Sequence, residues 1–264
     1  MKKIALALLG LIAIAIIAFL IFGPAWFEKQ TNMVDGKPLP AITAEAQKLH
    51  DSLMIVDLHG DTLLWQRKIT DSSDYGHIDL KRMQAGNVGL QIFSSVTKTP
   101  RGQNYDSNSA DTDNITLLAI TQLQPIRTWL SLLERQLYHA EKLDRAVKDS
   151  AGALATISNA ADVDGLAEFR SKDKGPIGVL FSAEGLQTLE GKRENLQKLH
   201  DSGMRMAGLV HFFDNELAGS MHGEKKGGLT KFGKTIVRDM EQKGMIVDIA
   251  HSSHATVADI LKMA

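Results

Sequence analysis

Cysteine is absent from the 264 residues. Its absence excludes disulfides, Cys-ligated zinc, iron–sulfur clusters, a thiol nucleophile and a lipidated cysteine, so any metal must sit on His, Asp and Glu. An excess of either charge is missing too. Thirty Lys and Arg stand against thirty-one Asp and Glu, a net charge of -1. Without a basic field to hold phosphate backbones, nucleic acid is not an expected partner. No repeat of fixed period and no low-complexity tract occurs outside the amino terminus. What is present is 44% hydrophobic and 23% charged, the profile of a globular protein with one sizeable core.

At the amino terminus, Met1-Lys2-Lys3 precedes residues 4–22, nineteen positions with a single Gly and no charge. Such a run approaches the ~20 residues that cross a bilayer core and exceeds the roughly 7–15 of a signal-peptide hydrophobic region. The two lysines favour a cytoplasmic N-terminus, with Trp26 and Phe27 at the far interface. A cleaved secretory signal is the competing reading, but Ile21-Phe22-Gly23-Pro24-Ala25 is a poor small-residue cleavage site. The expected organisation is a transmembrane anchor (or signal peptide) at 1–29, a linker at 30–42 and a catalytic barrel at 43–264. The expected location is a bacterial inner membrane, single-pass, with the catalytic domain facing the periplasm, or the periplasm or exterior after cleavage. A lack of cysteine fits the periplasm, where disulfides are permitted but not required.

The remainder reads as repeated βα units. Candidate strands at 54–58, 88–96, 153–158, 177–183, 206–212 and 245–250 are short, apolar and without strict alternation, as expected when both faces are covered. Helical patterns lie between several of them, most clearly at 229–243, where Phe232, Ile236, Val237 and Met240 share one face and Gly244 supplies the stop. A second runs over 194–202. Residues 97–113 are polar and predict a loop reaching over the barrel mouth, and 114–150 predict helix with a break at Pro125 and Trp129 in the core. Strands alternating with helices argue for a parallel α/β sheet. The expected fold is a (β/α)8 TIM-type barrel truncated after about six strands, since a closed barrel needs eight units and typically about 250 residues.

Four apolar runs end in residues suited to metal binding: Asp57-Leu58-His59-Gly60-Asp61, Ser182-Ala183-Glu184, Leu209-Val210-His211 and Asp248-Ile249-Ala250-His251. Parallel barrel strands deliver such side chains from their C-terminal ends to one mouth. In an extended segment i and i+2 point the same way, so His59 and Asp61 project together if the strand continues through them. Glu184, at the end of a buried run, must be paired or bound to a cation, and its two oxygens can bridge two ions. Each of these is weak alone, because a lone strand-end His or Glu is more often structural. Their coincidence points to a metal-dependent hydrolase. His50, His77, His139, His200, His222 and His254 are expected in surface or structural roles, with His254 the one best placed to compete for a metal.

These residues carry a resemblance. The Asp57–Asp61 motif, His77-Ile78-Asp79-Leu80 leading to Gly89-Leu90-Gln91, Ala183-Glu184-Gly185, the stretch from Gly203-Met204-Arg205 to His211 with Asn215, and residues 227–251 resemble the membrane dipeptidase (renal dipeptidase) family of zinc peptidases, peptidase family M19. The match runs from residue 53 to the last residue and is weakest across 98–151. The resemblance implies two zinc ions, with His59 and Asp61 on the first, Glu184 bridging both, His251 on the second, and His211 facing the substrate to polarise its carbonyl. It implies hydrolysis of dipeptides, including those with a C-terminal D-residue, by a metal-activated water, and a homodimer. Leu58 and Gly60 stand where the family often has Gly and Asn, which leaves both ligand types in place. The family's further zinc-binding His, substrate-binding Arg and proton-transferring Asp lie beyond residue 264, so the chain alone is expected to be inactive or nearly so. The rival readings are a metal-dependent amidohydrolase acting on a cyclic amide or lactone, and an inactive membrane-tethered barrel remnant.

Overall fold

Six short apolar runs pair in parallel as one curled sheet that stops short of closing, a half barrel consistent with a truncated TIM-type barrel. The computed structural model describes residues 1–38, 40–171 and 175–264, so residue 39 of the expected linker lies outside the described residues. In chain order the helices and strands are α1 (Lys2–Thr31), α2 (Ala44–Ser52), β1 (Ile55–Gly60), α3 (Leu80–Ala85), β2 (Val88–Phe93), α4 (Ile115–Thr121), α5 (Arg127–Leu130) and α6 (Leu132–Asp149). They continue as β3 (Leu154–Thr156), α7 (Ala160–Arg170), β4 (Ile177–Glu184), α8 (Asn195–Asp201), β5 (Met204–Gly208), α9 (Lys231–Gln242), β6 (Ile246–Asp248) and α10 (His254–Leu261).

All eight residues of β4 are buried, which makes it the centre of the sheet. The flanking order is β1-β2-β4-β5-β6. Strand β3 does not lie between β2 and β4, as consecutive barrel order would require. Leu90 to Phe93 pair directly with Gly178 to Phe181, while Leu154 to Thr156 pair with Ile177 to Val179. Because β2 and β3 both use Gly178 and Val179, they take opposite edges of β4, and β5 follows β3 along the same edge from Phe181 onward. Three residues give too few ladder bonds to separate two longer apolar strands. The expectation that every strand is covered on both faces also fails at the two ends of the sheet. Val56 and Leu58 of β1, and Ile246 and Ile249 in and after β6, are exposed because the edges of an unclosed sheet lack a neighbour.

The helices follow their apolar faces. Helix α9 buries Ile236, Val237 and Met240 at 3.6-residue spacing, is N-capped by Thr230 through the Gly233 amide, and gives way to Gly244 at a φ of +66°. The region expected to be helical with one break has two. The chain turns at Pro125, and Ser131 leaves helical geometry to cap α6 through Glu134. Trp129 is half-buried, with its indole N–H donating to the Gln124 carbonyl, because α5 is too short to carry it into the core. Gly233 packs so closely on the preceding loop that an added Cβ would overlap the Leu217 carbonyl oxygen. Gly233→Ala is therefore expected to cost roughly 1–3 kcal/mol despite the higher helix propensity of Ala, read as a lower midpoint in thermal or denaturant unfolding. An unchanged or raised midpoint would contradict this packing.

Helix α1 includes one segment long and apolar enough to cross a membrane, with a mean hydropathy of 3.2 over its most apolar window and no part of that window buried. It continues past the apolar run through Pro24 to Thr31, two residues into the expected linker. Its last turns dock on the body. Glu28 is buried and ion-paired to Arg67 at 3.0 Å, and the Asn32 carbonyl accepts the Gly76 amide at 2.8 Å.

Candidate metal centre

Strand register brings the expected donors together. Glu184 is the last residue of β4 and is paired with Gly208 of β5, which is paired in turn with Asp248 of β6. His211 and His251 each follow that row by three residues, so adjacent parallel strands release both into the same mouth. His211 lies beyond β5 and not within it, because the strand ends at Gly208. On the other side, β1 ends at Gly60 and Asp61 turns away at φ −92° and ψ 20° to begin a 3-10 turn. The strand does not continue through Asp61, yet the pair still meets, with His59 Nε2 3.3 Å from Asp61 Oδ1.

Glu184 sits at the centre. Its Oε1 lies 2.9 Å from His251 Nε2 and 3.7 Å from His59 Nε2, and its Oε2 lies 3.4 Å from His211 Nε2. Two overlapping donor sets result, His59–Asp61–Glu184 and Glu184–His211–His251, and within each set the donor atoms lie within 4.8 Å of one another. Burial alone would raise the Glu184 carboxyl, but the hydrogen bond from His251 and the charges of His211, His59 and His251 outweigh it and hold the pKa below the usual carboxylate range. The Asp61 hydrogen bond pushes His59 up to about 9 against the opposing effect of burial, with the charges of Asp61, Glu184 and Asp248 assisting. Burial pushes His211 down to about 4, so its imidazole is neutral near pH 7.

His251 is held at a φ of +60°, a left-handed conformation that a non-glycine residue adopts at a cost. Its carbonyl accepts the Met221 amide at 2.7 Å, and Ser252 pairs with Ser220 in an antiparallel bridge. The 214–228 loop thus fixes the ring. The Nδ1 atoms of His211 and His251 are buried without a hydrogen-bond partner, so both rings aim their partnered edge, Nε2, at Glu184. Imidazole and carboxylate donors converging without sulfur suit a borderline divalent cation, and these residues fit one.

A cleft of about 740 Å³ contains Asp61, Glu184, His211 and His251 at its floor. Of the 97–113 loop, Thr99 and Gln103 line the cleft, and Asn108 donates its side-chain amide to the His222 carbonyl. Two contributors escaped sequence reasoning. Phe19, Trp26 and Phe27 of α1 form part of the wall, with Phe27 packed on Trp65 at 6.1 Å between ring centroids. His222 is structural but not remote: it is buried, stacked on Phe212 at 4.6 Å, and its ring lies 5.2 Å from that of His251. No spacing signal marks either, although the Trp26-Phe27 pair already stood out as interfacial. Among the other histidines, His139 is fully buried against Ser95 at 2.6 Å, and His254 is exposed at the start of α10 and joins neither donor set.

Residues 43–264 match the family model described as membrane dipeptidase (peptidase family M19). Dipeptidase aclJ of Aspergillus oryzae is 29% identical over 215 residues, 76% of this chain and 46% of that protein. Among solved structures, the probable dipeptidase PvdM from Pseudomonas aeruginosa superposes with a TM-score of 0.62 at 18% identity, over 83% of this chain and 52% of that one. A metallopeptidase from Rhodobacter sphaeroides, liganded with a phosphinate mimic of the dipeptide L-Ala-D-Ala, gives a TM-score of 0.55 at 17% identity over 80% and 62%. At these identities the structural likeness is one of fold. The chain spans about half the length of the curated relatives it matches.

Proposed function

The chain belongs to the membrane dipeptidase family, peptidase family M19, and from that premise we propose that it carries the metal centre of a zinc-dependent dipeptidase. The observation that supports this most is the convergence of four imidazole or carboxylate donors on Glu184 at the C-terminal ends of parallel strands. His59 and Asp61 would hold a first zinc, Glu184 would bridge, and His251 would contribute to a second. Zinc so bound would supply Lewis acidity, lowering the pKa of a bound water and polarising the peptide carbonyl.

The protein's own groups do the rest. His211, neutral because it is buried, keeps one ring N–H that can donate to a carbonyl oxygen as negative charge develops there. Glu184 stays ionised and orients three imidazoles at once. Residues of the 97–113 loop and of α1 wall the cleft, and a walled cleft of this size favours a short peptide over a folded protein. Tolerance for a C-terminal D-residue is supported by the L-Ala-D-Ala mimic bound to the Rhodobacter sphaeroides relative in fold. A metal held by the same donors could equally serve hydrolysis of a cyclic amide or lactone, but the family match favours linear dipeptides. Helix α1 would anchor the protein in a bacterial inner membrane with the cleft outside the cytoplasm, since Lys2 and Lys3 precede the apolar run.

The test is zinc loading together with hydrolysis of a panel of L,L- and L,D-dipeptides, before and after chelation. Chelation is expected to lower the thermal midpoint and to abolish whatever hydrolysis the chain supports, and zinc is expected to restore both. At a free zinc concentration of about one hundred times Kd, the bound ion should add about 2.7 kcal/mol to stability. A thermal midpoint indifferent to chelation would remove the metal from the account.

A further inference from the structure

We propose that the segment spanning α4 and α5 is a second membrane contact, seated in the lipid–water boundary beside α1, so that the catalytic cleft opens at the bilayer surface. The proposal rests on the reading of α1 as a membrane span. Three observations carry it.

The first is rigidity. Helix α1 runs unbroken from the apolar segment into the body, where the buried Glu28–Arg67 pair and the Asn32–Gly76 hydrogen bond fix it. The depth of the span in the bilayer therefore sets the depth of whatever packs beside it.

The second is depth. The continuous apolar run read as the span ends at Phe22, ahead of Gly23-Pro24, and at a rise of 1.5 Å per residue Phe19 lies about 4.5 Å inside that end. Phe19 lines the cleft together with Leu117 and Leu118 of α4, and α1 packs on α4. Those leucines consequently sit at the edge of the hydrocarbon.

The third is surface chemistry. Residues 115–130 contain one charge, Arg127, and it is turned back onto α6, bonded to Glu134 and Glu141 at 2.8 Å each. Leu117, Leu123, Ile126 and Leu130 are all exposed, Leu130 at 96%. Contiguous exposed apolar side chains on short helices beside a membrane span match the makeup of an interfacial element, whereas an isolated exposed Leu would mean nothing. Continuity with α1 and the absence of an unpaired charge favour lipid over a protein partner as the occupant.

The lack of native cysteine makes the test direct. Single cysteines replacing Ile126 or Leu130 in the full chain are spin-labelled in phospholipid vesicles, with Leu11→Cys in the span and Lys192→Cys on the exposed body as references. Accessibility to oxygen, which concentrates in lipid, is compared with accessibility to a water-soluble nickel chelate. The expected result is that the labels at 126 and 130 favour oxygen, as at position 11, and that position 192 favours nickel. Labels at 126 and 130 that behave like position 192 overturn the proposal, as do labels shielded from both reagents, which would mean a second copy or another protein covers the segment. A Leu11 label that fails to favour oxygen overturns the membrane reading itself, and the proposal falls with it. All substituted side chains are exposed, so folding is unaffected.

Discussion

Glu184→Gln is expected to empty the metal centre of the proposed dipeptidase and, wherever the unaltered protein turns over substrate, to reduce kcat/KM by at least about 10³-fold, equivalent to about 4 kcal/mol of transition-state stabilisation. The change keeps size and shape but removes the charge, at the one residue shared by both donor sets. Its Oε1 faces His251 and His59 while Oε2 faces His211. A neutral amide offers one acceptor oxygen and a donor group that repels a cation, so neither set survives intact. The check is zinc content beside steady-state kinetics, with circular dichroism to establish that β4 still forms. A Gln variant that retains full metal content would mean that Glu184 is a buried partner of the imidazoles and not a ligand.

The second large effect is expected at His211, and it should have a different signature. His211→Asn should lower kcat by about 10²–10³-fold while zinc content and KM change little, because a donor that acts on developing charge contributes mainly in the transition state. Asn keeps a polar group in a position that is 4% exposed, which limits the cost of a cavity. The structure leaves His211 close enough to Glu184 and His251 to be a ligand itself. Loss of a zinc ion in this variant would therefore move His211 from substrate contact to metal binding.

The clustering of the donors was more legible in the sequence than the strand boundaries were. Apolar runs ending in His, Asp or Glu identified the C-terminal mouth because parallel strands all point one way, and that direction survives errors in where each strand stops. Thus His211 joins the donor cluster although β5 ends at Gly208 and not at residue 212. The His59–Asp61 pair forms although the strand stops at Gly60, because the side chains meet across a turn. The position of β3 was not legible. Residues 154–156 have the composition of a barrel strand, but which strand β2 pairs with depends on competition between ladders, and the longer run in β4 wins. The left-handed His251 and the Phe212–His222 stack behind it depend on the 214–228 loop, whose conformation no periodicity encodes. The contribution of α1 to the cleft wall was hidden for a similar reason, since hydropathy says that a helix is long and apolar enough to span a membrane but not what its far end touches.

Zinc content after equilibrium dialysis, compared between the unaltered chain and a His59→Ala, Glu184→Ala double variant of unchanged circular dichroism, tests the central claim most directly. The account predicts zinc held stoichiometrically by the unaltered chain and lost from the double variant, since each donor set loses Glu184. Equal zinc in both, or none in either, would contradict a metal centre built on Glu184.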